Sequence, residues 1–346
     1  MITKQLIDKL DKNKYLNKDE FVYLIDNCGE DSKSYLADKA LKQKEAVFGK
    51  KIYIRGLIEI SNYCKNNCFY CGIRRDNKSI CRYRLSKEEI LECCRIGYDI
   101  GFRTFVMQGA EDDEFPDELL IDIIERINEK YPDCAITLSV GEREKSVYQA
   151  FYEAGANRYL LRHETADEEH YRKLHPKSMS LKHRKQCLYD LKKIGYQTGT
   201  GFMVGSPFQT STNLADDLLF IKELNPEMVG IGPYISQKDT PFKNQKSGSL
   251  EKTLLMLGLV RLMLPRTLIP STTALGTISE GGREMGLLAG ANVIMPNLSP
   301  EGARKLYNLY DNKLHTGLEA AEHLHKLKKK VLSVGQEIVT DRGDYK

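Results

Sequence analysis

The sequence predicts an α/β chain folded as a (β/α)8 TIM-type barrel, with an N-terminal helical extension and a C-terminal helical tail. Two observations carry that expectation. Between about residues 52 and 300, eight short apolar or β-branched runs alternate with longer stretches of helical periodicity. That span also matches the roughly 250 residues such a barrel needs. The alternative, a doubly wound open sheet, would want a G-x-G-x-x-G after its first strand, and none is there.

In chain order, residues 1–48 form a helical prelude, 49–312 the barrel and 313–346 a charged, largely helical tail. Strands are expected at 52–61, 104–108, 135–140, 158–164, 198–204, 228–235, 269–274 and 292–297. Helical patterns fall between them, among others at 86–100, 117–130, 181–194, 210–224 and 250–264. Ser86 followed by Glu89 makes a capping box, and residues 153–156 read as a helix end running into a strand. A chain of 346 residues buries roughly 75% of its unfolded surface, so its core needs no staples.

Bulk properties exclude several classes. With 52 basic and 48 acidic residues the net charge is only +4, which gives no reason to invoke nucleic acid or a membrane surface. The one basic run, 326–330, reads as a solvated helix face. No stretch reaches the roughly 18–20 apolar residues of a membrane span, and the most apolar segment, 254–264, is interrupted by Arg261. The N-terminus opens an amphipathic pattern, not a signal sequence, so a soluble, cytoplasmic protein is expected.

A barrel of this type works at the C-terminal ends of its strands. There the sequence gathers polar and glycine-rich strings: Gln108 to Asp112, Arg162 to Thr165, Val204 to Pro207, Gly230 to Pro233, Ser271 to Thr273 and Met295 to Asn297. The first strand leads into Cys64-x3-Cys68-x2-Cys71, with aromatic Tyr70 before the last cysteine. Three of nine cysteines crowded into eight positions suggest thiolate chemistry, not disulfides. Three thiolates on a cubane cluster leave one iron open to a small molecule. The amino and carboxylate groups of S-adenosylmethionine (SAM) can chelate that iron, and this spacing is the signature of the radical SAM superfamily. The catalytic and metal-ligating candidates are therefore Cys64, Cys68 and Cys71 on a [4Fe–4S] cluster. A structural zinc site with Cys81 as fourth ligand would want a second short cysteine knuckle, which is absent. Cys28, Cys93, Cys94, Cys134 and Cys187 read as core or surface thiols.

Charges also sit where parallel strands are usually apolar. Alternation places Arg158, Leu160, Arg162 and Glu164 on one face and Tyr159, Leu161 and His163 on the other. Arg55, Leu57 and Glu59 likewise share a face, as do Thr137 and Ser139. Buried guanidinium needs an anion. Internal pairs, Arg55 with Glu59 or Arg162 with Glu164, would satisfy it; a polar lumen gripping a charged substrate is the functional reading. His163, facing away from that lumen, reads as hydrogen-bonded structure. Tyr307 and Tyr310 could close the barrel mouth or simply pack.

From about residue 50 to 312 the chain resembles the HydE family of [FeFe]-hydrogenase maturases. The resemblance lies in Cys64-x3-Cys68-x2-Cys71-Gly72-x-Arg74-Arg75-Asp76-Asn77, in the strings 159–166 and 228–233, and in 272–277 and 290–297. It implies a complete barrel with the cluster near one end. It also implies that Gln108, Glu164 and Arg184 help hold SAM, Arg184 through the ligand's carboxylate. Arg55, Thr137, Ser139, Arg162, Thr272, Thr273, Met295 and Tyr307 would line a cavity for a small anionic, organometallic substrate. That substrate would be an iron complex carrying CO, cyanide and cysteine, made by the maturase HydG, with the product moving toward the scaffold HydF. An external electron donor is also implied. Some members carry a second cluster on three C-terminal cysteines; this chain has no cysteine after Cys187, so one cluster is expected. The rivals are a radical SAM reaction on a small amino acid, as in methylornithine synthase, a biotin-synthase-like sulfur insertion, and a non-enzymatic iron–sulfur carrier.

Overall fold

The computed structural model describes residues 2–315 and 321–345. Three helices come first: α1 (Ile2–Asn13), α2 (Lys18–Asn27) and α3 (Glu30–Phe48). Leu36, Ala40, Lys44 and Phe48 recur every four residues on α3 and make its buried stripe. Then follow β1 (Lys51–Ile54), β2 (Gly56–Ser61), α4 (Lys87–Asp99), β3 (Thr104–Gly109), α5 (Asp117–Lys130), β4 (Ala135–Ser139), α6 (Lys145–Glu153) and β5 (Arg158–Leu160). The chain continues through α7 (Glu168–Leu174), α8 (Leu181–Ile194), β6 (Gln197–Thr200), β7 (Met203–Val204), α9 (Ser211–Leu224), β8 (Met228–Val229), β9 (Gly232–Pro233) and α10 (Leu250–Met263). It ends with α11 (Thr273–Ile278), α12 (Gly282–Leu288), β10 (Val293–Ile294), α13 (Glu301–Leu306), a 3-10 turn at Ala321–His323, α14 (Leu324–Ser333) and β11 (Glu337–Val339).

All strand pairings between these elements are parallel. One sheet runs β2-β3-β4-β5-β6-β8, a second β10-β1-β11, and β7 pairs with β9. Single parallel bridges, Met228 to Leu268, Pro270 to Val293 and Leu57 to Asn297, carry the alignment onward from β8 to β10 and from there to β2. The chain is thus α/β with a parallel sheet.

Register fixes which side chains share a face. Leu57, Val106, Thr137 and Arg158 are neighbours across four strands, and one layer higher Glu59 pairs with Gln108 and Gln108 with Ser139. The intervening Ile58, Met107, Leu138 and Tyr159 are fully buried toward the helices. Over the paired residues 57–59, 106–108, 137–139 and 158–159 the strands adopt the alternation read from the sequence; β5 ends at Leu160, so register does not extend it to 162–164.

Several strand expectations need correction. Run 52–61 divides at Arg55, where the pairing partner changes from β11 to β3. Run 198–204 becomes β6 and β7, and 228–235 becomes β8 and β9, because Gly201 and Gly230 press backbone on backbone between the pieces. A Cβ on Gly201 would lie 1.9 Å from the Gly230 carbonyl oxygen. Run 158–164 keeps only β5 and a bridge from Glu164 to Phe202. Run 269–274 is no strand: Pro270 lacks a ladder donor, and Thr273 already opens α11. Run 292–297 shrinks to β10, with Pro296 again lacking an N–H.

The helices meet expectation more closely. Residues 117–130 and 181–194 match α5 and α8, and the Ser86–Glu89 capping box is present on α4. The apolar run of α10 is buried all round, with α3 packed against it. Arg261 donates to the carbonyls of Gly290 (2.7 Å), Pro265 and Thr267 (both 2.8 Å). Among the described residues no helix is long and apolar enough to cross a membrane. Lysines 326 and 328–330 lie on the exposed face of α14, while Leu324, Leu327 and Val331 are buried.

The C-terminal segment is not wholly helical. β11 adds to β1, and the residues after it cover the N-terminal ends of the strands. Arg158, fully buried, donates to Asp344 Oδ1 (2.7 Å), the Arg342 carbonyl (2.9 Å) and Thr104 Oγ1 (3.1 Å). Burial alone would raise the Asp344 carboxyl, but the charge and hydrogen bonds of Arg158 outweigh it and hold it below its ordinary value. A depressed carboxyl stabilises the fold above its unfolded value and loses that contribution as pH falls through the folded one. Asp344→Asn is therefore expected to lower unfolding free energy by about 2 kcal/mol at pH 7, the partial exposure of Asp344 softening the loss. In urea titrations that deficit should shrink as pH drops below about 4.

Candidate functional site

The loop after β2 carries the three cysteines, and its shape is held by one cation. Arg82 donates to the carbonyls of Ile73 (2.8 Å), Arg74 (2.6 Å), Asn77 (3.2 Å) and Asn62. The loop is then stitched to three other elements: Lys65 N to Glu111 O (2.8 Å), Phe69 N to Leu174 O (3.0 Å) and Gly72 N to Leu309 O (2.8 Å). Gly72 is required there, since a Cβ would sit 2.1 Å from the Asn308 carbonyl oxygen.

Cys64, Cys68 and Cys71 are half-buried and unbridged. Burial pushes each thiol up, and each feels neighbouring charge; Cys71, beside Cys64, is pushed up to about 12. Three thiols that resist ionising alone, yet lie close enough to oppose one another's charge, suit shared coordination to a cationic metal centre. Cys81, the alternative fourth ligand, is exposed, and Cys28, Cys93, Cys94, Cys134 and Cys187 are all buried.

Around this loop the structure gathers groups that are far apart in sequence. Tyr70 and Cys71 feel the charge of Glu164, and Cys68 that of Arg184. Arg184, on the first turn of α8, has its Nε 2.6 Å from Glu142 Oε1, though not along a hydrogen-bond direction, and Nη2 3.5 Å from Glu111 Oε1. Burial disfavours its charge, but Glu142 and Glu111 outweigh that and keep it cationic. Gln108 Nε2 donates to the Tyr307 hydroxyl (3.4 Å), and Tyr307 is buried, where burial and the nearby Glu59 push its hydroxyl up. Tyr70 Oη lies 3.2 Å from His175 Nε2.

Of the expected internal ion pairs, one forms. Arg162 Nη2 lies 3.2 Å from Glu164 Oε2, yet Arg162 Nε and Nη2 and Glu164 Oε2 all lack an aligned hydrogen bond. Arg55 does not pair with Glu59. Lys313 takes that carboxylate instead, while Asn297 donates to it (2.9 Å). Among the described residues the Arg55 guanidinium keeps only Met228 Sδ, 2.8 Å from Nη1, and its buried Nε and Nη2 have no hydrogen-bond partner. Thr137 Oγ1 and Thr272 Oγ1 are likewise buried and unpartnered. Ser139 lies in the same layer as Gln108, and Met295 packs against the cluster of Phe48, Tyr53, Met228, Leu268 and Val293. Thr273 sits apart from this strand register, in the first turn of α11. His163 is structural as expected, its Nδ1 2.8 Å from Thr200 Oγ1.

Sequence reasoning missed Lys313, Glu111 and Glu142 as members of the site. Glu111 was visible only as part of a polar strand end, and Lys313 only as the start of a charged tail. A Cys68→Ala chain, reconstituted anaerobically, is expected to hold almost no iron where the unaltered chain holds about four per molecule; iron retained at the normal level would refute the ligand assignment.

The chain matches the radical SAM superfamily over residues 58–221. It is 45% identical over 316 residues to the [FeFe] hydrogenase maturase subunit HydE of Thermotoga maritima, covering 91% of this chain and 89% of that protein. It is 28% identical to the 3-methylornithine synthase of Methanosarcina acetivorans, over 89% of this chain and 87% of the relative. A crystal structure of methylornithine synthase superposes with a TM-score of 0.84 at 26% identity, covering 96% of this chain and 97% of that one. Superfamily members use a [4Fe–4S] cluster and SAM. Among the described residues no three metal-ligating side chains are already closed around a metal-sized space; the donor set fits through three thiols of one loop that bear on one another's charge, with Glu164 bearing on Cys71 and its buried Oε2 lacking an aligned hydrogen bond. The chain is a radical SAM enzyme and belongs to the HydE family of [FeFe]-hydrogenase maturases.

Proposed function

We propose that this enzyme acts on an iron–cysteine precursor carrying CO and cyanide during assembly of the [FeFe]-hydrogenase active-site cluster. The observation that carries the substrate class is the Arg55 guanidinium, whose buried Nε and Nη2 have no hydrogen-bond partner among the described residues. Arg162 is ion-paired with Glu164 at 3.2 Å, yet its buried Nε and Nη2 lack an aligned hydrogen bond, as do the buried hydroxyls of Thr137 and Thr272. An unpaired buried donor costs about 1–3 kcal/mol, more when charged, so a bound anion accounts for them. The 45% identity to a HydE protein supports the maturation role.

In this reading the parallel pairings and single bridges close into a complete (β/α)8 barrel, flanked by the 1–48 extension and the 313–346 tail. Cys64, Cys68 and Cys71 hold the cluster. Arg184 receives the SAM carboxylate, exchanging it for Glu142 or Glu111, while Glu164 and Gln108 meet its other polar groups. When bound, cluster and SAM supply an electron and a 5′-deoxyadenosyl radical. Arg55 and Arg162 orient the anionic guest, with Thr137, Ser139, Thr272, Thr273 and Met295 as walls, and Tyr307 closes the space beside Gln108. HydG supplies the precursor and HydF receives the product in the cytoplasm, with an external donor providing electrons.

The second reading is a radical rearrangement of a small amino acid, favoured by the methylornithine synthase superposition. Hydrogenase maturation in vitro separates them: the complete system should yield active hydrogenase, and omission of this protein should abolish it. Activity that does not depend on the protein, or conversion of lysine by it, would overturn the proposal. Arg55→Ala is expected to weaken the guest by about tenfold, or 1.4 kcal/mol, with SAM cleavage retained. Substrate-dependent turnover measured against uncoupled SAM cleavage checks this.

A further inference from the structure

Glu164 is the one non-glycine residue of this site with a left-handed backbone, at φ 65° among the described residues. Such a conformation is strained for a residue that carries a Cβ and persists only where its surroundings over-determine it. What determines it lies behind the strand, outside the lumen.

Three restraints converge there. The Glu164 N–H donates to the Gly201 carbonyl at 3.0 Å. On the preceding residue, His163 is fully buried, with Nδ1 2.8 Å from Thr200 Oγ1 and Nε2 3.3 Å from Asp217 Oδ1. Two residues onward, the Ala166 N–H donates to that same Asp217 oxygen at 2.5 Å. One Asp217 oxygen thus accepts from the Ala166 N–H on one side of the strained residue and lies against His163 Nε2, without an aligned hydrogen bond, on the other. Lys185, next to Arg184 on α8, holds the Ala166 carbonyl at 3.0 Å.

Asp217 is a costly residue to place here. It sits on α9 at zero exposure among buried Leu214, Ala215, Leu218 and Ile221, and makes no contact with the lumen through the bonds it forms. An apolar side chain would pack the helix more cheaply. Among the described residues its hydrogen bond and its close polar contact are both to the 163–166 string.

We propose that Asp217, acting with His163, is a positioning residue that holds Glu164 in its left-handed conformation and so sets SAM affinity. This rests on the reading that Glu164 contacts SAM. Replacement of Asp217 lets the string relax, and Glu164 swings its carboxylate off the ligand. The cysteine loop, which shares no hydrogen bond with Asp217 or His163, keeps its cluster.

The test uses full-length protein reconstituted with its cluster, and reads SAM dissociation constant, iron content and thermal midpoint together. Asp217→Leu removes the acceptor and should weaken SAM about tenfold with iron content unchanged; Asp217→Asn, which keeps an acceptor oxygen, should restore most of that affinity. Glu164→Ala should weaken SAM comparably, and the double variant Glu164→Ala/Asp217→Leu no further, since the two act through one contact. If Glu164→Ala weakens SAM while Asp217→Leu does not, or if the two losses add, the positioning role is overturned and the SAM contact stands. If Glu164→Ala leaves affinity unchanged, the contact itself falls and the inference with it. Should Asp217→Leu fail to accumulate, Thr200→Val frees His163 from behind and is expected to weaken SAM about threefold; unaltered affinity there overturns the proposal.

Discussion

A charge turned inward among parallel strands must be met by an opposite charge or by donors and acceptors, because the low-dielectric interior offers it no water. This chain turns several charges inward, and their partners differ with depth. At the N-terminal ends of the strands Arg158 is answered by Asp344 from the C-terminal segment. Near the opposite rim Glu59 is answered by Lys313, and Arg184 by Glu142 and Glu111. Between these layers Arg55 and Arg162 keep open donors. The ends are neutralised within the chain, and the middle keeps donor nitrogens without an aligned hydrogen bond among the described residues.

That gradient explains why the helical extension, the strands and the C-terminal segment behave as one structure. Asp344 arrives only because β11 joins β1, and Lys313 only because the residues after α13 run back across the cysteine loop at Gly72 and Leu309. The same return path delivers Tyr307 to Gln108. The segment after the last strand is therefore the cover of the site at one end and the source of its counter-charge at the other.

Backbone conformation adds a second layer of control. The 162–166 string alternates between residues that face the lumen and residues pinned behind it, and its turn is made with a non-glycine left-handed residue. Asp217 of α9 and Lys185 of α8 hold the Ala166 backbone, so the turn at Glu164 is restrained from helices behind the strands. Gly72 shows the complementary case, in which a missing Cβ lets two backbones approach where the cysteine loop meets its cover.

Much of this was legible in the residue order. Cysteine spacing is local, so Cys64, Cys68 and Cys71 could be named at once. Strand parity is also local, so Arg55, Thr137, Ser139, Arg162 and Glu164 could be assigned to one face before any pairing was known. Long helices with strong periodicity, such as α5 and α8, were recovered with their ends. Short strands were not, because proline and close glycine contacts break the pairing at 269–274 and 198–204. Partner choice was the least visible feature. Nothing near Glu59 in sequence points to Lys313, 254 positions away, and nothing near Glu164 points to Asp217. A chemistry borne by neighbours in the chain can be read directly, whereas the pairing of buried charges exists only once distant segments share a register.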